Sequence, residues 1–233
     1  MPVPRTVRLG DRELTRIGLG TNRLTDTPEN VDFLQQAVET GLDFVDTAHL
    51  YTGGASERAV GTALAPFPDD LTVATKVGYH PGSGRPEALR AELEESFERL
   101  REETIPLVYL HRVDPDVPIE ESLAVLREYR DAGRIEHVGV SDVGVDQIER
   151  ARSVVPIAVV QNKYSLAERK YDDVVDHCER EGILFVPYYP LHGPGSTRDK
   201  LTWLLKRSPC IVPIPGTLSL DHLKANLAAL DEA

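Results

Sequence analysis

Four side chains that can hold or transfer a proton lie at or just after the ends of three consecutive short apolar runs in the sequence. They are Asp46, Tyr51, Lys76 and His111. If the runs are neighbouring parallel strands, spaced about 4.8 Å apart, their ends meet at one edge and these groups can converge. The spacing therefore predicts one polar site built from residues that are far apart along the chain.

The four groups together suit acid–base chemistry. An isolated tyrosine has a pKa of about 10, too high for efficient proton donation at neutral pH. We expect the ammonium of Lys76 to lower the pKa of Tyr51 and the carboxylate of Asp46 to hold that ammonium in place. His111 could hydrogen-bond a substrate oxygen. This set suits reduction of a carbonyl group, in which hydride reaches carbon while a proton reaches oxygen.

Each residue also has a purely structural interpretation. Asp46 could cap a loop, Lys76 could pair with it, and His111 could be a hydrogen-bonded core histidine. Taken one at a time, the structural and catalytic interpretations have about equal weight. Their combination with Tyr51 favours the catalytic one.

Polar and aromatic residues at the next three predicted strand ends could hold a nicotinamide, which would supply the hydride. Amide and hydroxyl side chains can bind a carboxamide, and an aromatic face can stack on the ring. Core packing is the alternative for the tyrosines. These residues are Ser141, Asp142, Gln161, Asn162, Tyr188 and Tyr189.

The segment IPGTLSLDHLKANL (214–227) places a glycine-containing turn before a predicted helix. Free backbone amides at the start of that helix, with Thr217 and Ser219, could bind a phosphate group. N-capping of the helix by Ser219 is the competing interpretation, and for a single feature it is the more common one.

The elements that must position these groups alternate regularly. Eight short apolar runs, rich in Val and Ile, are typical of parallel strands buried on both faces, and amphipathic stretches typical of helices separate them. The predicted strands are 15–20, 42–48, 71–77, 107–112, 136–142, 157–165, 184–190 and 210–216, and the predicted helices are about 30–40, 56–64, 86–100, 119–132, 145–154, 171–181, 198–207 and 219–230.

This order predicts an α/β fold, a closed (β/α)₈ or TIM barrel. A doubly wound open sheet is the alternative, because periodicity does not show whether a sheet closes. The segment VRLGDREL (7–14) predicts a β-hairpin ahead of the barrel. No linker or repeat divides the chain, so we expect residues 1–233 to form a single domain.

The composition limits the classes of function. The 233 residues include 38 acidic and 26 basic side chains, and the net charge of −12 disfavours binding to nucleic acids or anionic membranes. No stretch approaches the ~20 apolar residues of a membrane-spanning helix, and no signal peptide is apparent. Cys178 and Cys210 could pair, but reduced thiols are the simpler interpretation. We expect a cytoplasmic protein without a metal site.

Several ordered motifs resemble the aldo-keto reductase family over essentially the whole chain. The stretch GLDFVDTAHLYTGGASERAVGTAL (41–64) is similar to the family's signature around its catalytic aspartate and tyrosine. The motifs TKVG, LHRVDPDVPIEESL, GRIEHVGVSD, QNKYS and IPGTLSLDHLKANL follow in the family's order at suitable spacing. The resemblance implies that a tyrosine is the general acid of a catalytic tetrad, here formed by Asp46, Tyr51, Lys76 and His111.

The resemblance also implies a small carbonyl substrate and NADPH as cofactor, with NADH as an alternative. Ser141, Asp142 and Gln161 would hold the nicotinamide amide, and Tyr188 would stack on its ring. Leu191 and Gly216 are also implied to contact the cofactor. The residues implied to lie toward its adenosine end are Thr217, Ser219, His222 and Asn226.

Three departures from the family pattern affect these expectations. Asp142 stands where many relatives have asparagine, and a carboxylate cannot donate to the carboxamide oxygen. His222 replaces an arginine beside the adenosine phosphate, which weakens the expected preference for NADPH. The stretch HGPGSTRDK after the seventh strand is short, and the chain ends after its last predicted helix. We therefore expect an open substrate pocket and a weaker hold on the pyrophosphate.

The sequence thus predicts an enzyme that reduces aldehydes or ketones to alcohols, as a monomer or small homo-oligomer, with Tyr51 as proton donor. One alternative is a non-catalytic barrel that binds NAD(P)H to regulate or dock a partner protein. Another is an unrelated phosphate-binding barrel, an isomerase or lyase, that uses the turn at 214–219 for a substrate phosphate.

Overall fold

The computed structural model describes residues 3–231, in which parallel strands alternate with helices. The strands are β1 (Thr6–Leu9), β2 (Arg12–Thr15), β3 (Leu19–Gly20), β4 (Phe44–Asp46), β5 (Thr72–Val77), β6 (Ile105–Leu110), β7 (Ile135–Ser141), β8 (Ile157–Gln161) and β9 (Leu184–Phe185). The helices are α1 (Pro28–Glu39), α2 (Ala55–Leu64), α3 (Pro86–Leu100), α4 (Ile119–Asp131), α5 (Val145–Arg152), α6 (Asp172–Glu181), α7 (Thr197–Arg207) and α8 (Leu220–Ala228), with 3₁₀ turns at Tyr51–Gly54 and Ala229–Asp231. Within residues 3–231, no helix has the length and apolar character needed to cross a membrane.

The predicted β-hairpin is confirmed. Strands β1 and β2 pair antiparallel with Val7 opposite Leu14, and Gly10 in the turn has a φ of 59°. This left-handed backbone suits glycine, which has no Cβ. On the hairpin, Leu9 and Leu14 are buried in the same cluster as Phe44, which belongs to a barrel strand. The hairpin therefore packs against the barrel interior.

The seven strands β3 to β9 form one parallel sheet in chain order. Successive residues of a strand face opposite sides of the sheet. In β6, Leu107 and Tyr109 belong to the cluster that includes the hairpin leucines, whereas Val108 belongs to the larger cluster that includes the helices. Burial on both faces explains why the strands read as continuous apolar runs rather than as alternating ones.

The sheet closes through an irregular segment. The eighth predicted strand, 210–216, forms no ladder, but single bridges join Ile211 to Phe185 of β9 and Gly216 to Gly20 of β3. The segment contains two prolines, and a proline has no backbone N–H with which to continue a ladder. Because the segment contacts both edge strands, the barrel prediction is confirmed and the open-sheet alternative is wrong.

A fully buried arginine ties this closing segment to the hairpin. Arg16 follows β2 directly, and its guanidinium donates hydrogen bonds to four backbone carbonyls, those of Pro4, Leu205, Ser208 and Ile211. Burial lowers the pKa of Arg16 to about 10, so the group stays charged at neutral pH. One cation therefore satisfies carbonyls from the stretch before β1, the end of α7 and the closing segment.

Candidate active site

A cavity of about 800 Å³ opens at the carboxyl ends of the strands. Five strands of the sheet contribute residues to its lining at or just after their last positions, namely Gly20, Asp46, His111, Ser141 and Gln161. Sites in parallel barrels lie at this end, because the loops that follow the strands can vary without disturbing the core.

The predicted acid–base residues converge at this cavity. The ammonium of Lys76 donates to Asp46 Oδ1 at 2.5 Å, to the carbonyl of Thr47 at 2.7 Å and to Tyr51 Oη at 3.3 Å. An ammonium has three N–H groups, so all of them are used. Lys76 itself is 1 % exposed and, unlike Tyr51, does not line the cavity. The lysine therefore acts as a rigid link between the carboxylate and the phenol.

Asp46 is held from two directions. Its second oxygen, Oδ2, accepts a hydrogen bond of 2.8 Å from the amide nitrogen of Gln161, at the end of β8. Both carboxylate oxygens are thus hydrogen-bonded, one to a residue of β5 and one to a residue of β8, which fixes the side chain at the cavity. Lys76 pairs with Asp46 and also contacts Tyr51. Its structural interpretation and its catalytic interpretation are therefore compatible.

A constrained turn after β4 places Tyr51. The amide of Tyr51 donates to the carbonyl of Ala48 at 3.0 Å, and Thr52, with a φ of 49°, donates from its hydroxyl to the carbonyl of Leu24 at 2.8 Å. Gly54 has a φ of 81°, and a Cβ there would lie 2.6 Å from the guanidinium carbon of Arg99. Only glycine fits, so this turn depends on a residue that the motif supplies.

Burial dominates the pKa of Tyr51. Burial raises this pKa above the ordinary value of 10.0, and the charge of Lys76 opposes the rise without cancelling it. The expected net lowering by Lys76 is therefore not found. Burial alone would lower the pKa of Lys76, but Asp46 and Tyr51 outweigh it and raise the value. At neutral pH the pair is a protonated phenol beside an ammonium.

His111 is a neutral imidazole in this setting. Burial, with the charges of Lys76 and Arg112, lowers its pKa to about 2. Its ring meets the rings of Tyr51 and Tyr79 edge-on, at centroid distances of 6.0 and 4.9 Å. Its Nδ1 is buried without a hydrogen-bond partner in the described part of the chain. An uncharged ring can donate one hydrogen bond without repelling the ammonium.

The residues predicted to hold a carboxamide lie on the opposite wall. Ser141, Asp142, Gln161 and Tyr188 all line the cavity. Within residues 3–231 the Ser141 hydroxyl makes no hydrogen bond, whereas Tyr188 donates from its hydroxyl to Asp142 Oδ1 at 2.8 Å. Burial and this contact with Asp142 both raise the pKa of Tyr188, so its hydroxyl keeps its proton.

Asn162 has a different position. Its amide oxygen accepts from the backbone of Val143 at 3.1 Å, and its amide nitrogen donates to the carbonyl of Val143 at 2.8 Å. The asparagine is fully buried and does not line the cavity. Its two bonds fasten the loop after β7 to β8 and so support Ser141 and Asp142.

The remaining residues predicted to contact the cofactor divide into two groups. Leu191 and Gly216 line the cavity, whereas Thr217, Ser219, His222 and Asn226 do not. Ser219 caps α8, because its oxygen accepts from the amide of His222 at 3.4 Å, which confirms the capping interpretation. The amide of Ser219 in turn donates to the Thr217 hydroxyl at 3.1 Å.

Sequence reasoning missed several residues that line the cavity. The signal that could have found them is a polar or aromatic side chain at or just after the end of a predicted strand, which is also the signal that identified His111. The missed residues are Asn22, Arg23, Tyr79 and Arg112.

The fold is a (β/α)₈ barrel whose cavity lies at the carboxyl ends of the strands. Residues 16–202 match the profile of the aldo/keto reductase family. The Schizosaccharomyces pombe protein "Uncharacterized oxidoreductase C215.11c" is 36% identical over 259 residues, covering 96% of this chain and 84% of that one. The thermostable aldo-keto reductase Tm1743 superposes with a TM-score of 0.89 at 30% identity, covering 97% of this chain and 94% of that one. An aldo/keto reductase of Klebsiella pneumoniae, solved with NADP and acetate, gives a TM-score of 0.86 at 26% identity and covers 98% and 90%.

The chain belongs to the aldo/keto reductase family. It is an NAD(P)H-dependent oxidoreductase.

Proposed function

We propose that this protein reduces aldehydes or ketones to alcohols, with hydride from NADPH and a proton from Tyr51. The observation that carries the proposal is the bonded series from Asp46 through Lys76 to Tyr51, in which Lys76 Nζ lies 2.5 Å from the carboxylate and 3.3 Å from the phenol oxygen. The series ends on a phenol that lines a cavity large enough for a small substrate.

The cavity residues fit the nicotinamide end of the cofactor. The Ser141 hydroxyl and the Asp142 carboxylate can meet the carboxamide, and the Tyr188 ring offers an aromatic face. The Klebsiella pneumoniae relative was solved with NADP, which supports the same cofactor class here. When bound, the cofactor supplies the hydride that reaches the carbonyl carbon. The four residues from Thr217 to Asn226 remain candidates for its adenosine end.

Tyr51 holds the proton until the carbonyl oxygen becomes negative. Its pKa is raised, so the proton stays on the phenol before the reaction. When the proton leaves, the phenolate forms 3.3 Å from the Lys76 ammonium, which stabilises the new charge. Neutral His111 donates a hydrogen bond toward the same oxygen and orients the carbonyl. The protein thus stabilises charge where it develops.

The other two interpretations find less support. A non-catalytic barrel has no need of a phenol bonded to a buried ion pair. A phosphate-binding isomerase or lyase would use the turn at 214–219. There Ser219 caps α8 and its amide donates to the Thr217 hydroxyl, and neither residue lines the cavity. The family assignment also disfavours this second alternative.

We expect the kcat of aldehyde reduction to stay constant within about twofold from about pH 5 to about pH 9. His111 has a pKa of about 2 and is neutral across this window, whereas Tyr51 has a pKa above 10.0 and stays protonated. Steady-state kinetics in buffers of constant ionic strength measure the profile. A limb that titrates near neutral pH would show that His111 or Tyr51 changes its protonation state within this window and would contradict the assignment.

Cofactor binding and turnover together test the proposed function. NADPH should bind in a calorimetric titration, and adding an aromatic aldehyde should then consume the reduced cofactor continuously. A parallel titration with NADH gives the preference between the two cofactors. Binding without consumption across a panel of aldehydes and ketones would favour the non-catalytic barrel instead.

A further inference from the structure

One carboxylate connects residues that follow three strands, β6, β7 and β9, on the wall of the cavity. Asp142, just after β7, accepts a hydrogen bond of 2.8 Å from Tyr188, which follows β9. The other oxygen of Asp142 lies 3.4 Å from Nη2 of Arg112, which follows β6. All three residues line the cavity. Asp142 has a φ of 55°, a conformation that is uncommon for a residue with a side chain and is often imposed at functional sites.

Arg112 and Asp142 form an isolated ion pair. Among residues 3–231, Arg112 is the only cation paired with Asp142, and Asp142 is the only carboxylate paired with Arg112. The guanidinium also lies over the ring of Tyr79, 4.7 Å from its centroid, which holds it at the cavity wall. The pair therefore brings no net charge to the cavity, although each partner alone would bring one.

Charge at this position matters because the two redox forms of the cofactor differ in charge. The nicotinamide ring is neutral in NADPH and positively charged in NADP⁺. A carboxylate beside the ring attracts the oxidised form, and a guanidinium repels it. Since the two side chains pair, these effects offset each other, and loss of either partner leaves the other uncompensated.

We propose that Arg112 is a positioning residue that pairs with Asp142 and thereby sets the relative affinity of the protein for the oxidised and reduced cofactor. This inference rests on the proposed function, which places the nicotinamide beside Ser141 and Asp142. The pairing also explains how an aspartate can stand at position 142, where many relatives have the uncharged residue asparagine. The positive charge of Arg112 balances the negative charge that Asp142 brings to the cavity wall.

The test measures dissociation constants of NADP⁺ and NADPH by calorimetry for the unaltered protein and three variants. Arg112→Gln leaves Asp142 uncompensated, so the ratio Kd(NADP⁺)/Kd(NADPH) should fall about fivefold. Asp142→Asn leaves Arg112 uncompensated, so the ratio should rise by a similar factor. The double variant Arg112→Gln/Asp142→Asn should return the ratio to within about twofold of the unaltered value.

Arg150→Gln is the matched control. It removes the cation of another ion pair, Arg150–Glu120 at 2.7 Å, which lies on helices α4 and α5 and not in the cavity. The ratio Kd(NADP⁺)/Kd(NADPH) of this variant should equal that of the unaltered protein. Equal weakening of both cofactor forms in Arg112→Gln would mean a merely structural role and would overturn the inference. An unaltered protein that binds neither cofactor would instead overturn the proposed function.

Discussion

Replacing Tyr51 by phenylalanine should lower the kcat of aldehyde reduction by about 10³-fold and change the Kd of NADPH by less than about twofold. The substitution removes the hydroxyl that accepts from Lys76 at 3.3 Å and leaves the aromatic ring in place. Without the phenol, no general acid remains at the carbonyl oxygen. Lys76 does not line the cavity, and neutral His111 can donate a hydrogen bond but has no acidic proton to transfer. Steady-state kinetics and a calorimetric NADPH titration measure the two quantities.

Tyr171→Phe is a suitable control for that substitution. This variant also loses one hydroxyl, but Tyr171 precedes α6 and does not line the cavity. Its kcat should match that of the unaltered protein. Turnover by Tyr51→Phe at a comparable rate would exclude Tyr51 as the essential acid.

Breaking the buried ion pair should have the largest effect on stability. Lys76 and Asp46 are each 1 % exposed, so Lys76→Met leaves an unpaired carboxylate in the core and Asp46→Asn leaves an unpaired ammonium. Each single substitution should lower the free energy of unfolding by about 3–5 kcal/mol. The double variant should regain part of that loss, because no uncompensated charge remains. Urea unfolding curves provide the three values.

The same variants separate stability from catalysis. All three should lose most of their reductase activity. Lys76→Met and the double variant lack the ammonium beside Tyr51, and Asp46→Asn removes the carboxylate that holds this ammonium in place. As a control, Arg90→Gln breaks an exposed pair with Glu128 and should cost less than about 1 kcal/mol. Strictly additive losses in the double variant would show that the two buried groups are not coupled.

Much of the fold could be predicted because its signals are local. The predicted strand at 71–77 corresponds to Thr72–Val77, and the predicted helix at 86–100 corresponds to Pro86–Leu100. The predicted strands 15–20 and 184–190 are only two residues long in the structure, Leu19–Gly20 and Leu184–Phe185, and the run at 210–216 forms no ladder. An apolar pattern does not report where strand pairing ends or which backbone N–H groups are available. Pro213 and Pro215 removed two of them, and the segment closes the barrel through single bridges instead of a ladder.

The site also has features that the sequence predicts and features that only the structure shows. Its four acid–base residues could be predicted because each marks the end of a strand or the loop that follows. The contact between Gln161 and Asp46 could not, because it joins residues 115 positions apart through the closed barrel. The direction of the Tyr51 pKa also depended on burial, which outweighs the neighbouring ammonium. The pairing of Arg112 with Asp142 depends on how the ends of β6 and β7 align, which the sequence does not report.

A single-turnover experiment tests the central claim most directly. The protein is loaded with one equivalent of NADPH and mixed rapidly with excess aromatic aldehyde, and the absorbance of the reduced nicotinamide is followed. We predict that the unaltered protein oxidises one cofactor per chain and forms one alcohol, whereas loaded Tyr51→Phe keeps its NADPH reduced over the same interval. Equal rates in the two proteins, or a stable NADPH complex of the unaltered protein in the presence of aldehyde, would contradict the account.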